Sequence, residues 1–413
     1  MLFSKRGLPL IDQKMPAASL PIAATHFHAT TFIPFSLFEE SAVTVPADTV
    51  VRRGDTLYAD GEGLVTPAFV SGTVLGEETV SHPLYGNVRC VSVRPEDGEE
   101  TALSLPFDPQ DATADNIIEA AKLAGIVDEI DGVPLFEKLR YCAHGCQVVA
   151  DGVEAQPYAS AAYRVLCEQP DAVTSGLSLV AKVVEAKGRN IAVCLENAQM
   201  RKTIADIYKK EKVYFAPRRY PVDKYTDHER EVCRVGVQAL CALHQAVYER
   251  KAATTTVITV AGDMVKQPQN LRVPFGTPIQ SLLDFCGVNG TPAVMVGGDI
   301  LTGIALTDTS CPVLHGMTCL LLLSAVPAVQ EDPCIGCGRC AQVCHKELLP
   351  YEIVRRLENM HYERLINLRA VACDGCGACS FVCPAGRDVK NAVLYAAEQD
   401  GSVVLEWGGN DDA

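Results

Sequence analysis

Two runs of closely spaced cysteines lie near the C-terminal end of the chain, and both follow the spacing C-x2-C-x2-C-x3-C. Such a run is typical of [4Fe–4S] ligands, because three closely spaced thiolates can wrap one face of the cubane. Glycines inside each run let the backbone approach the cluster without a Cβ atom in the way. The runs consist of Cys334, Cys337, Cys340 and Cys344, followed by Cys373, Cys376, Cys379 and Cys383.

The presence of two runs predicts crossed ligation, in which the fourth cysteine of each run binds the cluster of the other run. The predicted first site consists of Cys334, Cys337, Cys340 and Cys383. The predicted second site consists of Cys373, Cys376, Cys379 and Cys344. Structural zinc sites need only four ligands each from C-x2-C pairs, and disulfides need an oxidising compartment. The complete double run favours two [4Fe–4S] clusters over both alternatives.

The composition is that of a globular protein, with 413 residues, of which 48% are hydrophobic and 21% charged. A net charge of −15 makes the chain a poor candidate for binding nucleic acid or an acidic membrane surface. The longest apolar run, Met317–Val329, is too short to span a bilayer and predicts a buried strand, so we expect no direct membrane insertion. Cluster thiolates need reducing surroundings, which predicts a cytoplasmic location.

A second group of cysteines has the sequence Cys142-Ala-His144-Gly-Cys146. An imidazolium or a helix N-terminus beside a thiol lowers the pKa of the thiol and makes it competent for disulfide exchange. One interpretation is therefore a redox-active dithiol relay formed by Cys142 and Cys146. The other is two ordinary, partly buried cysteines, and the sequence leaves both open.

The pattern of apolar and turn residues changes along the chain and predicts a multidomain α+β and α/β protein. Residues 1–110 contain short strands separated by turn residues, which predict a small β barrel or sandwich. Residues 111–251 alternate between helix and strand, and residues 252–326 have a β-grasp pattern. The cluster domain should span 327–400 and contain helices, and 401–413 should form a flexible tail.

The alternating region predicts a parallel sheet, the architecture that often holds a nucleotide or flavin at the carboxyl ends of its strands. We expect helices over Asn116–Leu123 and Ala162–Lys187, strands over Asn190–Leu195 and Lys212–Phe215, and an amphipathic helix over Glu229–Tyr248.

The candidate phosphate loop of this region begins at Gly125. It places Asp128, Glu129 and Asp131 where phosphate groups would lie, which is electrostatically unfavourable.

The order of these regions, with several short motifs, resembles RnfC, the C subunit of the Rnf electron-transport complex, and its soluble relatives. The motifs include Ser71-Gly72-Thr73-Val74, Val260–Val273, Gly276-Thr277-Pro278, Val296-Gly297-Gly298 and Leu348-Leu349-Pro350. The resemblance covers nearly the whole chain. It implies a barrel-sandwich hybrid, a Rossmann-like flavin/NADH-type α/β domain, a β-grasp domain of the SLBB type and a two-cluster ferredoxin-like domain.

The chain departs from this family at the cofactor loop, which in the family is rich in glycine and ends in Phe-Pro-Thr-x-x-Lys. Only Gly132, Pro134 and Lys138 match it. A second family motif, Asn-Gly-x-Glu-Cys-Glu-Pro, keeps Glu154 but has lost its cysteine. The resemblance implies that Lys138 and Glu154 contact the cofactor. The altered loop leaves the binding of FMN and NADH open.

The resemblance implies a protein that passes electrons from NADH or a donor protein to a reductase. Within the family, the chain most resembles the electron-transfer protein associated with D-proline reductase. That resemblance implies a selenoenzyme as acceptor, reached through the dithiol of Cys142 and Cys146. The alternatives are an FMN-dependent NADH oxidoreductase, a cobalamin reductase of the same family, and a scaffold subunit of a larger complex.

Overall fold

The chain folds into several β-sheets followed by a helical C-terminal unit, a mixed α/β multidomain architecture. The computed structural model describes residues 7–35, 45–82, 86–217, 219–222, 232–325, 331–360 and 366–407. The first residues of the expected cluster domain, 327–330, and the end of the expected tail, 408–413, lie outside the described residues.

The N-terminal region forms a four-stranded antiparallel sheet in the order β2-β7-β6-β3, with a separate hairpin of β4 and β5. The core of this region contains Ile33, Phe69, Val74 and Val93. Phe275, which lies further along the chain, packs against them. The elements of this region are α1 (Met15–Ala18), β1 (Ala23–Ala24), β2 (Thr31–Pro34), β3 (Val50–Val51), β4 (Thr56–Ala59), β5 (Val65–Pro67), β6 (Gly72–His82) and β7 (Gly86–Pro95).

The middle region contains a parallel sheet in the order β10-β9-β8-β11, as the alternation of helix and strand predicted. Helices pack on it through the largest hydrophobic core of the described residues. The elements are α2 (Ala114–Leu123), α3 (Leu135–Tyr141), β8 (Gln147–Gly152), α4 (Ala161–Glu168), α5 (Pro170–Val183), β9 (Gly188–Val193), α6 (Ala198–Ile207), β10 (Val213–Phe215), β11 (Val232–Gly236) and α7 (Val237–His244).

Two sequence predictions in this region were wrong. The helix expected over Ala162–Lys187 is two helices, because Pro170 begins a new helix and disfavours helical backbone at the residue before it. Of the amphipathic helix expected over Glu229–Tyr248, residues 229–231 lie outside the described residues, and in the described part the helix begins only after Gly236. The residues Val232–Gly236 instead form β11, where β-branched valines pair in parallel with β8.

The third sheet has six strands in the order β1-β13-β12-β16-β14-β15. The predicted helix and main strands of this region are present. The N-terminal segment adds β1 to its edge, in parallel with β13, which the sequence did not predict. The elements are β12 (Thr255–Ala261), β13 (Gln269–Pro274), α8 (Ile279–Cys286), β14 (Val294–Gly297), β15 (Ile304–Leu306) and β16 (Cys319–Leu323).

The C-terminal unit has two similar halves, each with a short helix inside its cysteine run. Each short helix follows a glycine in left-handed conformation, Gly338 in the first half and Gly377 in the second. Buried apolar side chains, with Ile353 and Val393 among them, join the halves. The helices are α9 (Arg339–Val343), α10 (Pro350–Glu358), α11 (Ala378–Phe381) and α12 (Val389–Trp407).

Candidate metal centre

The fold sorts the eight cysteines of the two runs into two groups of four, and each group lines its own cavity. The first is lined by Cys334, Cys337, Cys340 and Cys383. The second is lined by Cys344, Cys373, Cys376 and Cys379. This grouping is the one that crossed ligation requires, and four thiolates around one cavity are the donor set of a [4Fe–4S] cluster.

The two cavities differ in their exposure to solvent. At the first cavity Cys334 and Cys337 are exposed, and the side chain of Ile335 between them is 71% exposed. At the second cavity all four cysteines are buried or half-buried. The first site therefore faces the surface, while the second lies deeper in the protein.

A hydrogen bond to the backbone of one of its cysteines connects the second site to the region of the parallel sheet. Tyr220, which follows β10, donates a hydrogen bond from its hydroxyl to the backbone carbonyl of Cys376 at 2.5 Å. Leu8 and Leu301 pack in the same apolar cluster as Cys376. The second site thus lies against the carboxyl edge of the parallel sheet.

Burial also affects the thiols of this site. It raises the pKa of both Cys376 and Cys379 to about 12. These thiols would keep their protons at neutral pH in the absence of a metal, so cluster binding must release them.

His345 follows the last cysteine of the first run, and its imidazole is buried beside the second site. Its Nε2 lies 2.7 Å from a carboxylate oxygen of Asp374. Burial raises the pKa of Asp374, but the hydrogen bond and charge of His345 outweigh burial, and the net shift is downward. His345, Asp374 and Cys376 place one ligand atom each within 4.8 Å of one another. The pair adds a polar group next to a predicted cluster ligand.

The loop that corresponds to the family's cofactor loop is filled by its own side chains. Lys138, whose side chain is 12% exposed, forms ion pairs with Asp128 and with Asp131, the latter at 2.7 Å. The carboxyl group of Glu129 accepts hydrogen bonds from the backbone N–H groups of Gln238 at 2.7 Å and Ala239 at 3.0 Å. It therefore occupies the N-terminus of α7, the kind of position at which a phosphate would bind.

Glu154, the other residue expected to contact a cofactor, is also engaged within the protein. It accepts hydrogen bonds from the backbone N–H groups of Ala162 at 3.0 Å and Tyr163 at 3.2 Å, at the start of α4. The N-terminal segment crosses the sheet edge close by, where Lys14 donates to the carbonyl of Ala159 at 2.8 Å. Leu8 exchanges backbone hydrogen bonds with Tyr220 at 2.7 and 2.8 Å. The residues present at this edge do not fit a flavin or a nicotinamide nucleotide.

The structure brings a third cysteine to the predicted dithiol. Cys142 and Cys146 both lie close enough to Cys233 in β11 for their thiols to raise the pKa of the Cys233 thiol. His144, which the sequence suggested as an activating group, is 74% exposed, and its Nδ1 lies 4.0 Å from Glu185. Cys233 was missed because its segment was predicted to be helical. The short β-branched sequence Val-Cys-Arg-Val was the signal that favoured a strand.

Comparison with known proteins supports the assignment of the C-terminal unit. Residues 333–387 match the family described as "4Fe-4S dicluster domain". The chain contains such a domain. The two clusters that this description names agree in number with the two cavities that are each lined by four cysteines.

The chain is also similar to components of larger redox complexes. It is 25% identical over 351 residues to the C subunit of the ion-translocating oxidoreductase complex of Rhodobacter capsulatus, covering 77% of this chain and 67% of the relative. It is 24% identical over 376 residues to the C subunit of the proton-translocating ferredoxin:NAD(+) oxidoreductase complex of Clostridium ljungdahlii, covering 82% and 81%. The resemblance to RnfC is confirmed at this level, and together with the dicluster domain it supports iron–sulfur electron transfer.

Among solved structures, the chain is similar to a chain of an NAD+-reducing [NiFe]-hydrogenase in the air-oxidised state. The match has 17% identity and a TM-score of 0.45, and covers 71% of this chain and 63% of the other. A likeness at this level carries no functional argument. No helix among the described ranges is long and apolar enough to cross a bilayer.

Proposed function

We propose that the protein carries single electrons between two redox proteins through two [4Fe–4S] clusters held by the eight cysteines. The observation that carries the proposal is the pair of cavities, each lined by four cysteines and contained in one dicluster domain. A bound cluster would supply a one-electron redox couple at each site. The cysteines hold it, and the surrounding apolar residues limit access of water.

The exposed first site is the proposed contact face for a redox partner. Ile335 and Phe381 are 71% and 60% exposed, and both line cavities beside the first group of cysteines. Exposed apolar side chains next to a redox group suit a transient protein interface, because they bury area without charge pairing. The second site is covered by the sheet edge, so an approaching protein would meet the first site.

Contacts within the chain support a function without flavin. Lys138, Glu129 and Glu154 each have partners inside the protein, and the carboxyl group of Glu129 lies at the N-terminus of α7, where a phosphate could otherwise bind. An FMN-dependent NADH oxidoreductase or a cobalamin reductase would have to break these contacts before binding its cofactor. The proposed electron donor is therefore a protein, and direct reduction by NADH is the competing outcome of the test below.

The proposed acceptor is a cytoplasmic reductase. The resemblance to proteins associated with D-proline reductase suggests a selenoenzyme of that kind. The relatives found by comparison are named as parts of ion-translocating complexes, which suggests a partner of a different kind. These two acceptor classes can be separated by measuring transfer to each.

The test uses the full chain purified without oxygen. We expect about eight iron atoms per chain, no bound flavin, and bleaching of the cluster absorbance by a reduced ferredoxin but not by NADH. Bound FMN together with bleaching by NADH would overturn the flavin-free proposal.

The contact face is tested with two matched substitutions of exposed side chains. Ile335→Asp should slow electron transfer at least tenfold while iron content stays unchanged. Tyr141→Asp alters a side chain that is 85% exposed and adjoins Cys142, so it should leave transfer through the first site unchanged. Loss of transfer only in Tyr141→Asp would instead indicate exit through the dithiol, as the sequence suggested.

A further inference from the structure

A tight turn holds Cys142 and Cys146 at the start of the parallel sheet. The N–H of Cys142 ends α3 by donating to the carbonyl of Lys138 at 3.1 Å. The N–H of Cys146 donates to the carbonyl of Ala143 at 3.2 Å, and its own carbonyl accepts from Lys187 at 3.2 Å. Because Cys146 immediately precedes β8, the turn fixes both cysteines at the amino edge of the sheet.

Cys233 reaches the same place from a distant part of the sequence. It lies in β11, which pairs in parallel with β8 so that Cys233 is opposite Val148. The thiols of Cys142 and Cys146 both lie close enough to the thiol of Cys233 to raise its pKa. Cys233 is 1% exposed and Cys146 is 4% exposed, whereas Cys142 is only half-buried. Of these three neighbouring thiols, that of Cys142 can thus be reached from solvent, whereas that of Cys233 cannot.

We propose that Cys142 and Cys233 form a dithiol–disulfide exchange site that reduces a disulfide of a partner molecule. The thiolate of Cys142 attacks one sulfur of the partner disulfide, which forms a mixed disulfide and releases the first partner thiol. The thiolate of Cys233 then attacks Sγ of Cys142, which forms the Cys142–Cys233 disulfide and releases the second partner thiol. The partner gains two electrons and two protons, and the two cysteines lose them.

The arrangement assigns Cys146 a supporting part. Its thiolate can attack Sγ of Cys233 in the Cys142–Cys233 disulfide, which forms a Cys146–Cys233 disulfide and releases the accessible thiolate of Cys142. The hydrogen bond from Cys233 lowers the pKa of Cys142, against burial and the nearby Cys146, and the charge of Lys138 lowers it further. A lowered pKa favours the thiolate that attacks a disulfide.

This site lies at the opposite edge of the sheet from the clusters. Tyr220 and the second cluster site adjoin the carboxyl edge, whereas the three thiols adjoin the amino edge. The six residues of β8 separate the two edges by about 17 Å at about 3.3 Å per residue. The exchange chemistry therefore does not depend on the clusters, and it holds whether or not the proposed electron-transfer function is correct.

The experiment incubates the anaerobic holoprotein with 2-hydroxyethyl disulfide, blocks free thiols with N-ethylmaleimide, and maps modified peptides by mass spectrometry. In the wild type we expect a disulfide that joins Cys233 to Cys142 or Cys146, and release of two mercaptoethanol molecules per disulfide consumed. In Cys233→Ser we expect the mixed disulfide to persist on Cys142, because the resolving thiol is gone. Cluster absorbance should stay unchanged in both.

The matched control is Cys241→Ser, which removes a buried thiol from α7 in the same core. This variant should behave as the wild type. A Cys142–Cys146 disulfide without Cys233, a failure of Cys142 to react, or one zinc atom held by the three cysteines would each overturn the proposal. Wild-type peptide mapping alone decides between these outcomes if Cys233→Ser does not fold.

Discussion

The hydroxyl of Tyr220 donates a hydrogen bond to the backbone carbonyl of Cys376 at 2.5 Å, and this contact joins the parallel sheet to the second cluster site. Tyr220 is 6% exposed. If its hydroxyl were removed, little water could reach the carbonyl of Cys376 to replace the lost hydrogen bond. A buried carbonyl that loses its donor is costly, which makes this bond a structural link between the two regions.

Tyr220→Phe should therefore loosen the cluster unit against the sheet while keeping the cluster ligands in place. We expect a loss of about 1 kcal/mol in the free energy of unfolding, and faster hydrogen exchange at the amides around Cys376. Iron content should not change. The control is Tyr208→Phe, because Tyr208 donates a similar bond to Leu166 at 2.9 Å inside the middle region. Faster exchange around Cys376 in both variants would contradict a local role for Tyr220.

The two halves of the cluster unit offer a second matched comparison, at Gly338 and Gly377. Both glycines have positive φ, 72° and 76°, so alanine at either position would cost about 1–2 kcal/mol of backbone strain. A Cβ at Gly338 would meet no protein atom within 4 Å, whereas a Cβ at Gly377 would lie 2.7 Å from the carbonyl oxygen of Leu301.

Gly377→Ala should thus destabilise the protein more than Gly338→Ala, and only Gly377→Ala should increase hydrogen exchange in the loop around Leu301. Thermal unfolding and hydrogen exchange of the two variants measure this difference. Equal effects would show that the contact with Leu301 contributes nothing to the cost.

The sequence was sufficient for features that depend on local spacing. The first three cysteines of each run lie within a few residues of one another, and the alternation of helix and strand indicated a parallel sheet. It was not sufficient where partners are distant along the chain. Glu129 caps α7 from 109 residues away, and Cys233 meets Cys146 only because β11 pairs with β8.

The N-terminal segment illustrates the same limit. Lys14 was not recognised as a contact residue, because a lone lysine in a polar segment predicts a solvated side chain. In the fold it is 3% exposed and bonded to the carbonyl of Ala159. The pairing of β1 with β13 joins the end of this segment to the third sheet, a contact between residues that are distant along the chain.

Crossed ligation can be tested by combining cysteine substitutions. Cys344→Ala alone should remove about four of the eight iron atoms. If Cys344 shares a site with Cys376, the double variant of the two should still retain about four, because both changes affect one cluster. The double variant of Cys344 and Cys340 should lose all iron, because it affects both. Uncrossed ligation would give the reverse pattern, and Cys286→Ala, which removes a buried cysteine outside the unit, should retain all iron.

The loop that contains Asp128, Glu129 and Lys138 should make the free energy of unfolding depend on pH in a defined direction. Burial, followed by the charge of Asp128, raises the pKa of Glu129 from its ordinary value of 4.5 to about 8. Between these two values the folded chain binds this proton more tightly than the unfolded chain. The free energy of unfolding should therefore fall as the pH rises through this window.

Glu129→Gln carries no titrating proton, so it should flatten this decline. Its amide oxygen can still accept one of the two backbone hydrogen bonds at the start of α7, which keeps the helix partly capped. Denaturant unfolding at several pH values between 4.5 and 8 measures the slope. Glu119→Gln, at an exposed position on α2, serves as the control and should keep the wild-type slope. An unchanged slope in Glu129→Gln would mean that Glu129 is ionised in the folded protein throughout this range, so that its cap on α7 is a carboxylate at neutral pH.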